Sequence, residues 1–114
     1  MKKFAILLIV GVLALVFMLN GLRAVSFEFN GTFSRDSHGE TVVFTGNNQD
    51  IERLIYTKRV EVLSTQTVAG VEIIYGFSTR LMGGVLVDGE KINIQIARRG
   101  STITVGSPLI FGSF

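Results

Sequence analysis

The sequence predicts an α+β protein: an N-terminal transmembrane or signal helix followed by a small antiparallel β-sheet domain with one short helix. Three observations carry that expectation. Phe4–Leu19 holds no polar or charged side chain and follows Lys2-Lys3. From Val25 onward apolar and polar residues mostly alternate, the period of a strand with one buried face. Ala69-Gly70, Asp88-Gly89 and Arg99-Gly100 separate β-prone runs, as hairpin turns do. Residues 1–24 are therefore read as a membrane anchor or signal segment, and residues 25–114 as an extracytoplasmic β-rich domain.

The first segment follows from bilayer physics. A helix rises about 1.5 Å per residue, and a hydrocarbon core of about 30 Å takes roughly 20 residues. Phe4–Leu19 reaches that length by continuing through Asn20, Gly21 and Leu22, with Arg23 snorkelling to the far interface. Only a helix hides the backbone of such a segment in lipid. Phe4, Leu8, Val12, Leu15 and Leu19 mark the span along its length. Lys2 and Lys3 hold the N-terminus in the cytoplasm and send the following domain outside. The same stretch fits a cleaved signal peptide, which would give a secreted protein. Ala24-Val25-Ser26 makes a poor cleavage site, so the uncleaved anchor is the favoured reading. A buried core helix is disfavoured because the stretch lacks a polar face.

Composition narrows what the outer domain does. The chain of 114 residues has no cysteine, which excludes disulfides, thiol chemistry and a lipid-modified cysteine. The net charge of +2 belongs to the N-terminal segment. From Val25 onward eight basic residues face nine acidic ones, a net of −1. Nucleic-acid binding draws on a basic surface that releases counterions, and this domain offers none.

Taken in order, Val25, Phe27, Phe29 and Phe33 alternate with Ser26, Glu28, Asn30 and Thr32, which predicts a first strand over Val25–Phe33. Asn30-Gly31 is a competing hairpin turn within it. Asp36-Ser37-His38-Gly39 forms a polar turn, and Thr41–Thr45 is β-branched enough for a second strand. Over Asp50–Lys58 the period changes. Ile51, Leu54 and Ile55 share a helical face, Asn48 or Gln49 stands near the cap, and Asp50 and Glu52 suit the first turn. Val60–Val68 and Val71–Phe77 form a hairpin about Ala69-Gly70. Ser78–Gly84 is a loop. Val85–Val87 and Lys91–Ala97 join at Asp88-Gly89, with Ile92, Ile94 and Ile96 on one side and Asn93 and Gln95 on the other. Thr102–Val105 is the last strand, with Ile103 and Val105 facing inward, and Gly106-Ser107-Pro108 ends it. Leu109-Ile110-Phe111 is an apolar tail expected over a sheet edge. Successive hairpins suggest a meander with the helix on one face, and a closed barrel or small sandwich is the alternative.

No catalytic constellation emerges. His38 is the only histidine. With Asp36 and Glu40 at i±2 it makes at best a weak metal set, and an exposed turn residue is the simpler reading. No serine sits in a nucleophile elbow. The carboxylates are isolated, so a glycosidase-type pair is not indicated. Met82-Gly83-Gly84-Val85 leads into a strand rather than a helix and so is no phosphate loop. Tyr75, Phe77 and Arg80 lie close in sequence at a hairpin end and are the candidate interaction patch, of the residue types that interfaces favour.

Tyr75-Gly76-Phe77-Ser78, then Gly89–Ala97, then Thr104–Ile110 with a final aromatic, resemble the C-terminal region of YwmB-like proteins over about Glu61–Phe114. These are exported proteins of Gram-positive spore-formers. The resemblance implies a domain like the TATA-box-binding-protein fold, with a curved antiparallel sheet backed by helices, outside the cytoplasm and without an assigned activity. It implies no DNA binding, since fold alone does not carry function.

The sequence therefore points to a membrane-anchored or secreted, non-catalytic binding module of the bacterial cell envelope. Its expected partners are the membrane and an envelope protein or a second copy, with no nucleic acid, metal or small-molecule cofactor. The alternative is a small envelope hydrolase using carboxylates, which would need Asp36, Glu61 or Glu72 gathered in a cleft.

Overall fold

Residues 21–110, described by a computed structural model, begin with a helix where alternation predicts a strand. Helix α1 spans Arg23–Glu28. Leu22, Val25 and Phe29 stand three and four residues apart and are all buried in the main core, whereas Phe27 is 73% exposed. That is a helical stripe, and it corrects the predicted strand over Val25–Phe33. Val25 and Phe29 fit either period; Leu22 before them and Asn30 after them favour the helix. Asn30 adopts φ +55°, and Gly31 N–H donates to the Ser26 carbonyl at 2.8 Å across the turn. A left-handed residue under such a bond is a Schellman-type stop. The competing Asn30-Gly31 turn is thus a helix exit rather than a hairpin.

Strand β1 (Thr32–Asp36) pairs with β2 (Gly39–Thr45) across the predicted polar turn. Helix α2 spans Asn48–Thr57, within two residues of the expected bounds. Its cap is Asn47. The Asn47 side chain accepts from Gln49 N–H at 3.0 Å and Asp50 N–H at 3.2 Å, and Asp50 Oδ2 accepts from Asn47 N–H at 2.9 Å. This reciprocal box satisfies donors that a helix start otherwise leaves open. Ile51 and Leu54 are buried, and Ile55 packs against the same cluster.

The remaining strands are β3 (Glu61–Val68), β4 (Val71–Phe77), β5 (Val85–Val87), β6 (Glu90–Ile92), β7 (Ile94–Arg99) and β8 (Thr102–Ser107). Ala69 and Gly70 have φ +51° and +79°, and Asp88 and Gly89 have φ +51° and +82°. Two successive left-handed residues suit a tight hairpin, because their twist matches the strands they join.

The domain is α+β with an antiparallel sheet, but the strand order departs from a meander. Six strands lie in the order β1-β2-β8-β7-β4-β3, and β5-β6 form a separate two-stranded ribbon. The local hairpins β1–β2, β3–β4 and β7–β8 are stitched together by β2–β8 and β4–β7. The sheet is open, with β1 and β3 at its edges, rather than a closed barrel. The run predicted as one strand over Lys91–Ala97 is interrupted at Asn93.

Both helices cover one face. Val42 and Phe44 of β2, Ile74 of β4, Ile94 and Ile96 of β7, and Ile103 and Val105 of β8 meet Val25, Phe29, Ile51 and Leu54 there. Phe29 stacks on Phe44 with centroids 4.7 Å apart. On the opposite face Val71, Ile73 and Ala97 form a second cluster, against which Tyr75 and Ile110 pack. Ile110 N–H donates to Gln95 Oε1 at 2.9 Å. The tail thus lies over a sheet face rather than an edge; Phe111 lies outside the described residues. So do Phe4, Leu8, Val12, Leu15 and Leu19. Among the described residues no helix is long and apolar enough to cross a membrane.

The helical reading of α1 has a direct test. Phe29→Ala should destabilise the protein by about 3–5 kcal/mol in denaturant unfolding. Phe27→Ala should change it by no more than about 0.5 kcal/mol. Equal losses would restore the strand.

Candidate binding cleft

Three segments distant in sequence meet at one end of the sheet: the β1–β2 turn, the β4–β5 loop and the end of β8. They enclose an open cleft of 750 Å³ whose lining includes Arg35, His38, Glu40, Arg80 and Met82, with Gly21 at its rim.

The turn is built by Asp36, whose Oδ1 accepts from His38 N–H at 2.7 Å and Gly39 N–H at 3.2 Å. Such a carboxylate substitutes for a backbone acceptor in a tight turn. Gly39 has φ +147°, and a Cβ there would collide with the Ser107 carbonyl. Glu40 joins two elements. Its Oε1 accepts from Arg35 Nη2 at 3.3 Å, and its Oε2 accepts from Leu22 N–H at 3.3 Å. Arg35 and Arg23 both lie over the Phe33 ring, at 5.9 and 4.8 Å from its centroid.

The β4–β5 loop is held by a buried polar knot around Asn93, which is fully buried. Asn93 Oδ1 accepts from Ser78 N–H at 2.8 Å. Its Nδ2 donates to the carbonyls of Ser78 at 2.7 Å and Leu81 at 3.1 Å. Ser78 Oγ donates to the Lys58 carbonyl and accepts from Arg80 N–H at 3.1 Å. Ser107 Oγ donates to the Asn93 carbonyl at 2.7 Å. The Asn93 amide thus holds the loop carrying Arg80, the Ser78 hydroxyl ties that loop to the end of α2, and the Ser107 hydroxyl ties the end of β8 to the Asn93 backbone. Low polarity around such a network strengthens each bond and raises the cost of losing any of them.

Lys58 ends α2 beside this knot with only 4% of its surface exposed. Burial lowers its ammonium pKa below the usual lysine value of 10.5, and the charge of Arg80 adds to the fall; Glu28 and Glu40 oppose it. Arg53 pairs with Glu28 at 3.5 Å and lies over Phe29 at 4.4 Å, which ties the two helices together.

Tyr75 and Phe77 stand two residues apart on β4, and Arg80 follows in the β4–β5 loop. Tyr75 lies on the helix-free face, where its hydroxyl accepts from Gln66 Nε2 at 3.0 Å. It lines a smaller groove of 290 Å³ with Leu63, Ser64 and the tip of the β5–β6 ribbon. Phe77 ends β4 with Lys91 Nζ 5.8 Å from its ring centroid. Arg80 lines the large cleft and also the neighbouring hollow beside Tyr56 and Arg59 of the α2 end. Asp36, Glu61 and Glu72 stand on β1, β3 and β4; Glu72 pairs with Arg98 at 3.3 Å. Among the described residues no three His, Asp or Glu side chains are grouped to hold a metal ion.

Sequence reading singled out Arg80 and His38 but missed Asn93, Ser78 and Met82. Asn93 carried no distinguishing signal, because the alternation with Ile92, Ile94 and Ile96 assigns it to the same side as Gln95. Chemically, the cleft offers the Arg80 guanidinium on a held loop and an exposed thioether in Met82. No family model matches the chain, and neither a curated protein nor a solved structure matches it.

Two outcomes follow from this geometry. Asn93→Ala strands Ser78 N–H and two carbonyls and should cost at least about 2 kcal/mol in denaturant unfolding. A smaller loss than for an exposed Asn would contradict the knot. Lys58 binds its proton less tightly folded than unfolded, so between its lowered value and 10.5 the unfolded chain holds more protons and stability rises with pH. Relative to Lys58→Met, the wild-type protein should gain stability as pH rises towards 10.5; a pH-independent difference between the two would contradict the shift.

Proposed function

We propose that the chain is a membrane-anchored, extracytoplasmic binding module of the bacterial cell envelope that acts without catalysis. Phe4–Leu19 anchors it with the N-terminus in the cytoplasm; cleavage of that segment would release it as a secreted protein. The resemblance of Glu61–Phe114 to YwmB-like exported proteins belongs to the same reading.

The observation that carries it is the position of the cleft. Gly21 lines it and Leu22 is buried in the core, so both belong to the domain rather than to the span, and an anchor ending near Leu19 leaves the cleft close to the bilayer. A partner held there would be another envelope protein, met by Arg80 and by Met82, which is 88% exposed. Arginine and methionine are both enriched at interfaces, and an exposed methionine adapts to the surface it meets. Of the carboxylates that a hydrolase would need, Asp36 is occupied in a turn and Glu72 in an ion pair, and Glu61 stands on a third strand, which supports recognition over hydrolysis.

The test uses full-length protein tagged at the C-terminus and gently solubilised from membranes. A partner should co-purify, and Arg80→Ala with Met82→Ala should reduce its recovery by at least about fivefold, the loss of about 1 kcal/mol. Recovery of the tagged chain alone, or equal recovery with the double variant, would contradict the assignment of the cleft.

A further inference from the structure

The two edges of the sheet are unlike. Edge strand β1 has five residues and carries Arg35 and Asp36. Edge strand β3 has eight residues, with its single charge at Glu61, and all but one of its positions are exposed. It contains no proline and no lysine, the residues by which natural edges resist pairing. A register shift between Val62 and Ser64 leaves Ser64–Val68 as the regular stretch. Among the described residues no strand pairs with its outer side.

We infer that β3 pairs antiparallel with β3 of a second copy of this chain, centred on Gln66, to give one continuous twelve-stranded sheet. The sequence of the strand is self-complementary for this. Thr65 falls opposite Thr67 of the second copy, a cross-strand pair that contributes favourably. Ser64 falls opposite Val68, and the two Glu61 carboxylates are sent to opposite ends of the joint, so like charges never meet. The two-fold axis of such a pair is perpendicular to the sheet. It keeps both helix layers, and both Gly21 positions, on the same side. That arrangement lets two anchored copies share one membrane, a point that rests on the proposed anchoring; the strand pairing itself does not.

The chain has no cysteine, so single cysteines report the contact directly. Full-length protein in its own cell fraction is oxidised and its dimer measured without reductant, for Gln66→Cys, Ser64→Cys and the β1 control Ser34→Cys. Disulfides need Cα atoms about 4.4–6.8 Å apart. Gln66→Cys should give most of the chain as dimer. Ser64→Cys alone places its two thiols about 13 Å apart along the strands and should give almost none. Copies carrying Ser64→Cys and Val68→Cys, expressed together, should restore it. No dimer with either Gln66→Cys or the mixed pair would overturn the inference. Equal dimer with Ser34→Cys, or adducts to a different protein in place of the dimer, would overturn it too. The cell fraction in which the protein is found reports separately on the anchoring.

Discussion

The fold of the cleft end depends on one buried amide. Asn93 sits between β6 and β7, and its side chain accepts one hydrogen bond from, and donates two to, a loop fifteen and twelve residues away. A buried polar group is tolerated only when its partners are all in place. That requirement forces the β4–β5 loop down onto the sheet, seats Leu81 in the core, and aims Arg80 outward. The end of α2 and the end of β8 join the same network through Ser78 and Ser107. An apolar residue at position 93 would remove the reason for that loop to have a single conformation.

What the sequence makes legible is what local chemistry decides. Helix α2 was readable from Ile51, Leu54 and Ile55 with an amide-rich start. The turns at Ala69-Gly70 and Asp88-Gly89 were readable because few dipeptides accept two left-handed residues in succession. Helix α1 was not, since Val25, Phe27 and Phe29 alternate as a strand does. Burial of Leu22 and exposure of Phe27 break the tie, and both depend on tertiary packing. The pairing of β2 with β8 spans some sixty residues, and no short-range signal encodes it. The same limit applies to the site. Pleating leaves Tyr75 and Phe77 on one side of β4, while the β4–β5 loop carries Arg80 to the cleft. Residues from three remote segments make the cleft instead.

A two-faced sheet gives the molecule its economy. The helix face holds the main core. The other face is covered in part by the tail through Ile110, while β3 carries Ser64–Val68, free of charge, along the edge. The edge at β1, with Arg35 and Asp36, and the edge at β3, with Glu61 alone, differ in what they invite, and the latter suits strand addition better. Recognition at the cleft and association at the β3 edge would use different residues, so they need not compete.

The central claim is that Asn93 holds the cleft loop rigidly on the sheet. Amide hydrogen exchange of the intact protein reads this directly at Ser78 N–H, the donor to Asn93 Oδ1. It should exchange as slowly as the core amides of β7, and far more slowly than Met82 and Gly83 in the same loop. Exchange of Ser78 at the rate of those two neighbours would show a loosely held loop and contradict the account.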